Sequence, residues 1–135
     1  VMDVKAMCGK VNSGMRVSAA VFGKYPQCVD SVAQDWGGWL RSGDIDFVCP
    51  MNYTADAQVF EEWVGNQMSL KSAGKRVFPG IGVTARESRL DAVQVMDQVE
   101  TIRKRGGKGF ALFDLNHVLA DEILPYLRLG VTAEP

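Results

Sequence analysis

The sequence is poor in the residue types that build metal and redox centres. Its 135 residues include one histidine and three cysteines. Cys8, Cys28 and Cys49 show no C-x-x-C spacing, and Cys49 lies in an apolar run, where a free cysteine usually packs as a small hydrophobic residue. His117 alone is too little for a metal site. We therefore expect no metal ion and no cofactor.

The sequence also lacks a basic cluster and a long apolar run. Its formal net charge is -1, and lysines and arginines are not grouped with aromatic residues, which argues against a nucleic-acid partner. No apolar run approaches the roughly 20 residues of a membrane-spanning helix, and residues 1–10 do not resemble a signal peptide. With 47% hydrophobic and 23% charged residues, the sequence predicts one globular domain over residues 1–135.

An apolar run that ends in polar side chains is the clearest element present. Residues 45–53 read IDFVCPMNY, with apolar side chains on both faces at the two-residue period of a strand. Such a strand is typical of a parallel sheet that is covered on both faces. Thr54 to Asp56 then offer caps for a helix. The pattern predicts a βα corner, the position where parallel α/β folds bind ligands.

Three further segments repeat this design. Strands are predicted at residues 16–22, 45–53, 77–83 and 109–114, and apolar stripes at helical spacing cover residues 29–41, 59–68, 90–102 and 118–129. A helix end is also predicted within residues 1–13. Ser88 with Asp91 resembles a capping box, and Pro125 is expected to kink or shorten the last helix.

The strand onsets recur about every 31 residues, so eight such units would give about 250 residues, the usual size of a (β/α)8 barrel. Four units then make half a barrel. A doubly wound parallel sheet is the alternative, since four strands with flanking helices also fit its length. The two differ at the sheet edges, because an open fold protects its edge strands and half a barrel leaves two strands unpaired.

Five segments in order carry a resemblance to a known family. They are residues 17–26 (VSAAVFGKYP), 34–40 (QDWGGWL), 46–54 (DFVCPMNYT), 79–83 (PGIGV) and 109–114 (GFALFD). Together they resemble the C-terminal half of the glycosyl-hydrolase-like family 10 catalytic domain. That resemblance implies an α/β fold in which the four parallel strands are strands five to eight of a TIM barrel.

The resemblance also implies a function. The whole protein is expected to be an extracytoplasmic glycoside hydrolase that acts on O-glycosidic bonds of a polysaccharide, with a cell-wall glycan as a plausible substrate. The segment in which related barrels keep their principal acid has no counterpart here, so the fragment itself is expected to be inactive. A non-catalytic carbohydrate-binding barrel and a phosphate-binding doubly wound module remain alternatives. The expected macromolecular partner is the N-terminal half of the same barrel or a second copy of the chain.

Two residues at strand ends are the catalytic candidates. Tyr53 could hydrogen-bond a sugar or stabilise charge at the anomeric carbon. Asp114 is a carboxylate directly at a strand tip, and it could act on substrate or merely cap the next helix. Packing in the barrel interior is the structural alternative for Tyr53.

The other candidates are assigned to substrate binding. Met51, Asn52 and Phe113 lie beside the catalytic candidates, although core packing or turn formation could also explain them. Four more residues follow the first predicted strand and would lie at the same rim: Lys24, Tyr25, Gln34 and Asp35. Asp35 could instead serve the start of a helix. Gly80-Ile81-Gly82 could approach a phosphate, but close packing against a sugar or a neighbouring strand is the better interpretation.

Overall fold

The computed structural model describes residues 1–70 and 74–130, which form an α/β fold around a parallel sheet. Its four strands are β1 (Ser18–Phe22), β2 (Phe47–Met51), β3 (Gly80–Gly82) and β4 (Ala111–Phe113). They pair in the order β1-β2-β3-β4, and every pairing is parallel. Because consecutive strands are neighbours, the strand order does not reverse anywhere in this sheet.

Helices precede the first strand and connect the others. They are α1 (Met2–Val11), α2 (Gln27–Val32), α3 (Trp36–Ser42), α4 (Ala57–Met68), α5 (Ala92–Lys104) and α6 (Leu124–Leu129), with a 3-10 turn at Gly74–Arg76 and a π-helical segment at Val118–Ile123. Right-handed crossovers between consecutive parallel strands place the connecting helices on one face of a sheet. The expected alternation of strands and helices is confirmed.

One face of the sheet is covered by these helices. Val21, Val48 and Ile81 are at most 1% exposed and belong to two apolar clusters shared with helix side chains. One cluster joins β1 and β2 to α2 and α3, and the other joins β3 to α4, α5 and the C-terminal helical segments. Met68 of α4 packs against both clusters, so the two are continuous.

The other face is only partly covered. Phe22 pairs with Met51 in the register of β1 and β2, and Phe22 is 49% exposed. Phe47, Cys49 and Met51 are half-buried, whereas Val48 between them is fully buried. The expectation that this strand is buried on both faces is therefore wrong for one of them, because no helix of the described chain covers that face.

The helix predicted at residues 29–41 is two helices. Ala33 has φ 55°, a left-handed conformation that ends α2. The Asp35 carboxylate then accepts a hydrogen bond from Gly38 N and caps α3. The apolar stripe continues through both helices, so periodicity alone could not reveal the break.

The cap of α4 agrees with the sequence prediction, and the cap of α5 differs from it. Asp56 accepts hydrogen bonds from the first backbone N–H groups of α4, as predicted. The capping box of α5 is Asp91 with Gln94 and not Ser88 with Asp91. The Ser88 hydroxyl donates to Gly82 O instead, so it secures the end of β3.

Pro125 lies in the first turn of α6, directly after the π-helical segment. A proline ring crowds the carbonyl four residues earlier and has no N–H to donate. The wider π-helical turn before it accommodates both effects. The helical segment changes from π to α type next to Pro125 without a break, and a kink at this proline stays a prediction.

The amino end of the sheet is held by Asp46. Its carboxylate accepts hydrogen bonds from Val17 N and from Lys5 Nζ of α1. The hydrogen bond from Lys5, followed by that from Val17, lowers the pKa of Asp46 below its ordinary value. This ion pair ties α1, in which no residue is buried, to the start of β2.

Candidate functional site

Two aromatic rings form a platform at the carboxyl ends of the strands. Tyr53, two residues after β2, stacks on Phe113 at the end of β4, with ring centroids 5.3 Å apart and planes 19° from parallel. Gly82 of β3 lies between the two strands, and a Cβ there would come within 2.8 Å of the Tyr53 ring. The glycine thus lets the tyrosine lie across β3. Phe113 is 48% exposed, so part of the platform faces solvent.

The Tyr53 hydroxyl keeps its proton and can act as a hydrogen-bond donor. Burial raises the pKa of Tyr53 above its ordinary value, and the neighbouring Cys49, Glu87 and Asp114 add to the shift in the same direction. Among the described residues the hydroxyl has no hydrogen-bond partner. It is therefore a protonated donor, at neutral pH and beyond, beside an apolar surface.

Asp114 is held by a small polar network. The Thr84 hydroxyl donates to Asp114 Oδ1, and Asn116 Nδ2 donates to the same oxygen at 2.8 Å. Thr84 Oγ1 in turn accepts from Asp114 N at 3.3 Å and from Asn116 Nδ2 at 3.1 Å. Because both fixed bonds reach Oδ1, Asp114 Oδ2 has no partner in the described part of the chain and can accept from a ligand hydroxyl.

The helix that follows β4 is capped by Asn116 and not by Asp114. Asn116 Oδ1 accepts a hydrogen bond from Leu119 N at 3.1 Å, at the start of the π-helical segment. Asn116 therefore satisfies the orphan donor of that helix end, and it leaves Asp114 outside the helix. This arrangement favours the ligand-binding interpretation of Asp114 over the capping one.

The polar residues after β1 mainly support one another. Tyr25 packs on Trp36 with centroids 4.4 Å apart and donates from its hydroxyl to Asp35 Oδ1 at 3.3 Å. Asp35 also caps α3, and Gln34 Oε1 accepts from Phe22 N at 2.9 Å. No hydrogen bond or ring contact within the described residues joins this group to Tyr53 or Asp114. Substrate contact by Tyr25, Gln34 and Asp35 stays a prediction, and each already has a structural role.

Lys24 and Met51 keep side chains that a ligand could reach. Lys24 is exposed in the loop after β1, and no ion pair engages it within residues 1–70 and 74–130. Met51 is half-buried at the end of β2, between Phe22 and Gly80 in the register of the sheet. Met51 therefore contributes an apolar surface next to the aromatic platform.

Asn52 is the candidate that the structure places away from the site. It is fully buried, and its amide exchanges two hydrogen bonds with Gln67 of α4, at 2.7 and 3.1 Å. Gln67 Nε2 also donates to Gly23 O at 2.7 Å, which ties α4 to the turn after β1. A side chain with both polar atoms engaged in the core cannot contact substrate, so we remove Asn52 from the binding residues.

Three residues near the carboxyl ends of the strands were not predicted from the sequence: Thr84, Asn116 and Glu87. Thr84 directly follows the strand predicted at residues 77–83, and Asn116 lies two residues after Asp114, so both were polar residues at a strand end. That position was the available signal. Glu87 lies in the exposed loop after β3, where its only recognisable effect is on the pKa of Tyr53.

The glycines of β3 serve packing. A Cβ at Gly80 would lie 2.8 Å from Pro50 O of the neighbouring strand, and one at Gly82 would lie 2.6 Å from Ser88 Oγ. Tyr53 also contacts this backbone. The glycines therefore permit close approach of β2 and of the tyrosine ring, which agrees with the packing interpretation and occupies the backbone that a phosphate would need.

Comparisons with protein-family models, curated proteins and solved structures found no match to this chain. Within residues 1–70 and 74–130, no three histidine, cysteine or acidic side chains are grouped as metal ligands. No helix in that part of the chain is long and apolar enough to cross a bilayer, in line with the expectation of no membrane span. The described chain is an α/β protein in which an aromatic pair and a carboxylate lie at the carboxyl ends of its strands.

Proposed function

We propose that this chain is the C-terminal half of a (β/α)8 barrel of glycoside hydrolase type. The observation that carries the proposal is the Tyr53–Phe113 platform with Asp114 beside it, at the edge where barrels place their active sites. The strand order supports it as well, since a barrel arc needs consecutive parallel neighbours. The partly covered face of the sheet then corresponds to the barrel interior.

The site chemistry suits a carbohydrate. A sugar ring offers an apolar face bordered by hydroxyl groups, and an exposed aromatic face beside polar groups matches both features. Phe113 supplies the apolar contact, Asp114 Oδ2 accepts from a hydroxyl, and Tyr53 Oη donates. Lys24 and Met51 extend the surface around this centre. The ligand is an oligosaccharide or polysaccharide, with a cell-wall glycan as the first choice.

Catalysis belongs to the complete barrel in this proposal. Glycoside hydrolysis normally uses two carboxyl groups that flank the scissile bond. Asp114 is the only carboxylate in the polar network described here, and the acid/base residue is assigned to another part of the full-length protein. The 135-residue chain alone is then inactive, and the location of the whole protein is extracytoplasmic by the family resemblance.

Calorimetric titration of the chain with soluble glycan fragments tests this proposal. We expect Asp114→Asn and Tyr53→Phe each to weaken binding about tenfold, since each removes one hydrogen bond to the ligand. Asp121→Asn and Tyr126→Phe make the same chemical changes on the π-helical segment and on α6, and they should leave affinity unchanged. Equal affinity in all four variants would remove Asp114 and Tyr53 from the site.

A non-catalytic carbohydrate-binding barrel is the second candidate. The presence of a single carboxylate in the Thr84–Asp114–Asn116 network favours it. Assay of the full-length protein on a panel of polysaccharides separates the two candidates. Release of reducing ends that disappears in Asp114→Asn supports the hydrolase, whereas binding without turnover supports the binding protein.

A phosphate-binding doubly wound module is the weakest candidate. That fold binds its ligand where the strand order reverses, and the described sheet has no such position. A phosphate ligand should raise the melting temperature by mass action. We expect no change in melting temperature with millimolar inorganic phosphate or nucleotides.

A further inference from the structure

Thr84 is the centre of the polar network beside Asp114. Its backbone is fixed, because Thr84 N donates to Phe113 O at 3.3 Å and the two residues that flank it are at most 5% exposed. Thr84 Oγ1 is hydrogen-bonded to Asp114 Oδ1, to Asp114 N and to Asn116 Nδ2. A half-buried threonine on a fixed backbone therefore contacts both polar residues that follow β4.

The direction of each hydrogen bond in this network follows from one contact. Asn116 Oδ1 accepts from Leu119 N, which fixes the orientation of the amide. The two hydrogens of Asn116 Nδ2 are then donated to Thr84 Oγ1 and Asp114 Oδ1. Thr84 Oγ1 also accepts from Asp114 N, which uses both acceptor positions of a hydroxyl, so its own proton is donated to Asp114 Oδ1. Within the described chain, Asp114 Oδ1 thus accepts two hydrogen bonds and Asp114 Oδ2 accepts none.

We infer that Thr84 is a positioning residue, which orients Asp114 so that its carboxylate presents the single oxygen Oδ2 to a ligand hydroxyl. An unrestrained aspartate side chain rotates about two torsion angles, and a ligand that orders it loses affinity to the entropy cost. The hydrogen bonds from Thr84 and Asn116 remove this freedom before binding. Because Oδ2 is an acceptor, the site selects a ligand that donates a hydrogen bond there. The identity of the ligand as a sugar rests on the proposed function, whereas the orientation of Asp114 does not.

Calorimetric titration of the 135-residue chain with soluble glycan fragments gives the first test. Thr84→Val keeps the shape of the side chain and removes the hydroxyl, and we expect it to weaken binding about tenfold, as Asp114→Asn does. Thr84→Ser keeps the hydroxyl and should retain most of the affinity. Thr101→Val makes the same chemical change on α5 and should leave the affinity unchanged. Equal affinity in Thr84→Val and in the original protein would overturn the inference.

A double variant shows whether Thr84 acts through Asp114. Two residues of one hydrogen-bond network have non-additive effects when one works through the other. In the Asp114→Ala background, Thr84→Val should therefore cause less than about a twofold further loss of affinity. A further loss as large as that of Thr84→Val alone would show that Thr84 acts independently of the carboxylate, and it would overturn the inference.

NMR spectra of the free chain give a measurement that needs no glycan. Scalar couplings should report one χ1 rotamer of Asp114 in the original protein and in Thr84→Ser, and an average over rotamers in Thr84→Val. One retained rotamer in Thr84→Val would overturn the inference. If no glycan binds and Thr84→Val still loses the rotamer, the proposed function alone is wrong.

Asn116→Asp provides the same measurements should Thr84→Val not fold. An aspartate at this position still offers an oxygen to Leu119 N, so the helix end keeps its cap. It no longer donates to Asp114 Oδ1 or to Thr84 Oγ1. We expect loss of the single Asp114 rotamer and weaker glycan binding in this variant, and the original rotamer with the original affinity would overturn the inference.

Discussion

The two faces of the sheet differ in what covers them. On the helix face, Val48 and Ile81 are completely buried by helices of the same chain. On the opposite face, Phe22 and Phe113 are about half exposed, although they are large and apolar. The covered face accounts for the stability of the fold, and the open face carries the candidate site. The difference shows that apolar side chains along a strand predict that its faces are covered, but not whether the covering groups come from the same chain.

The largest expected effect is on the free energy of unfolding, when one residue on each face is replaced by alanine. Ile81→Ala should lower the free energy of unfolding by about 2–5 kcal/mol, because it leaves a cavity in a core that cannot collapse fully. Met51→Ala on the open face should cost less than half as much, since its side chain is only half-buried. Urea denaturation of both variants measures the two values. Equal losses would mean that the two faces are equally covered in solution.

The next largest effect on stability is expected at Gly82, whose backbone lies under the aromatic platform. Gly82→Ala places a methyl group against the Tyr53 ring and Ser88 Oγ, and overpacking of this kind costs about 1–3 kcal/mol. The ring resonances of Tyr53 and Phe113 should shift in NMR spectra. Gly9→Ala is the control, because no atom lies within 4 Å of a Cβ there, and it should stabilise α1 by up to about 1 kcal/mol.

The buried amide pair predicts a loss of similar or smaller size. Gln67→Leu leaves the buried Asn52 amide without its partner and removes one of the two hydrogen bonds to Gly23 O, which costs about 1–3 kcal/mol for the unsatisfied buried amide. Gln58→Leu on the exposed side of the same helix should stay within about 0.5 kcal/mol of the original protein. If thermal denaturation gave the same midpoint for both variants, the pair would contribute nothing to stability.

The smallest expected effect is on the alkaline titration of Tyr53, which lies on the open face. The pKa of Tyr53 is raised in the folded state, so its contribution to stability is complete below the ordinary tyrosine pKa of about 10 and is lost as pH rises through the folded value. Tyrosinate absorbance near 295 nm should show one late-titrating group. Tyr53→Phe should remove that group, and its persistence in the variant would assign it to another tyrosine.

The fold was largely predictable, because its strands and helices each carry a regular apolar pattern. The break at Ala33 was not, since alanine rarely adopts a left-handed conformation and the stripe continues on either side. The site was predictable only in part. Tyr53 and Asp114 could be identified from their positions after strands. Their contacts with Phe113 and Thr84 depend on register between segments about 30 or more residues apart, which local sequence does not encode.

The glycine beneath Tyr53 couples two positions that are 29 residues apart in the chain. Any redesign of the ring at position 53 has to fit against the backbone at position 82, and a Cβ at 82 meets both the Tyr53 ring and Ser88 Oγ. Libraries that vary ligand preference at this surface should therefore randomise both codons jointly, since most single changes at either one disturb the shape that the other depends on.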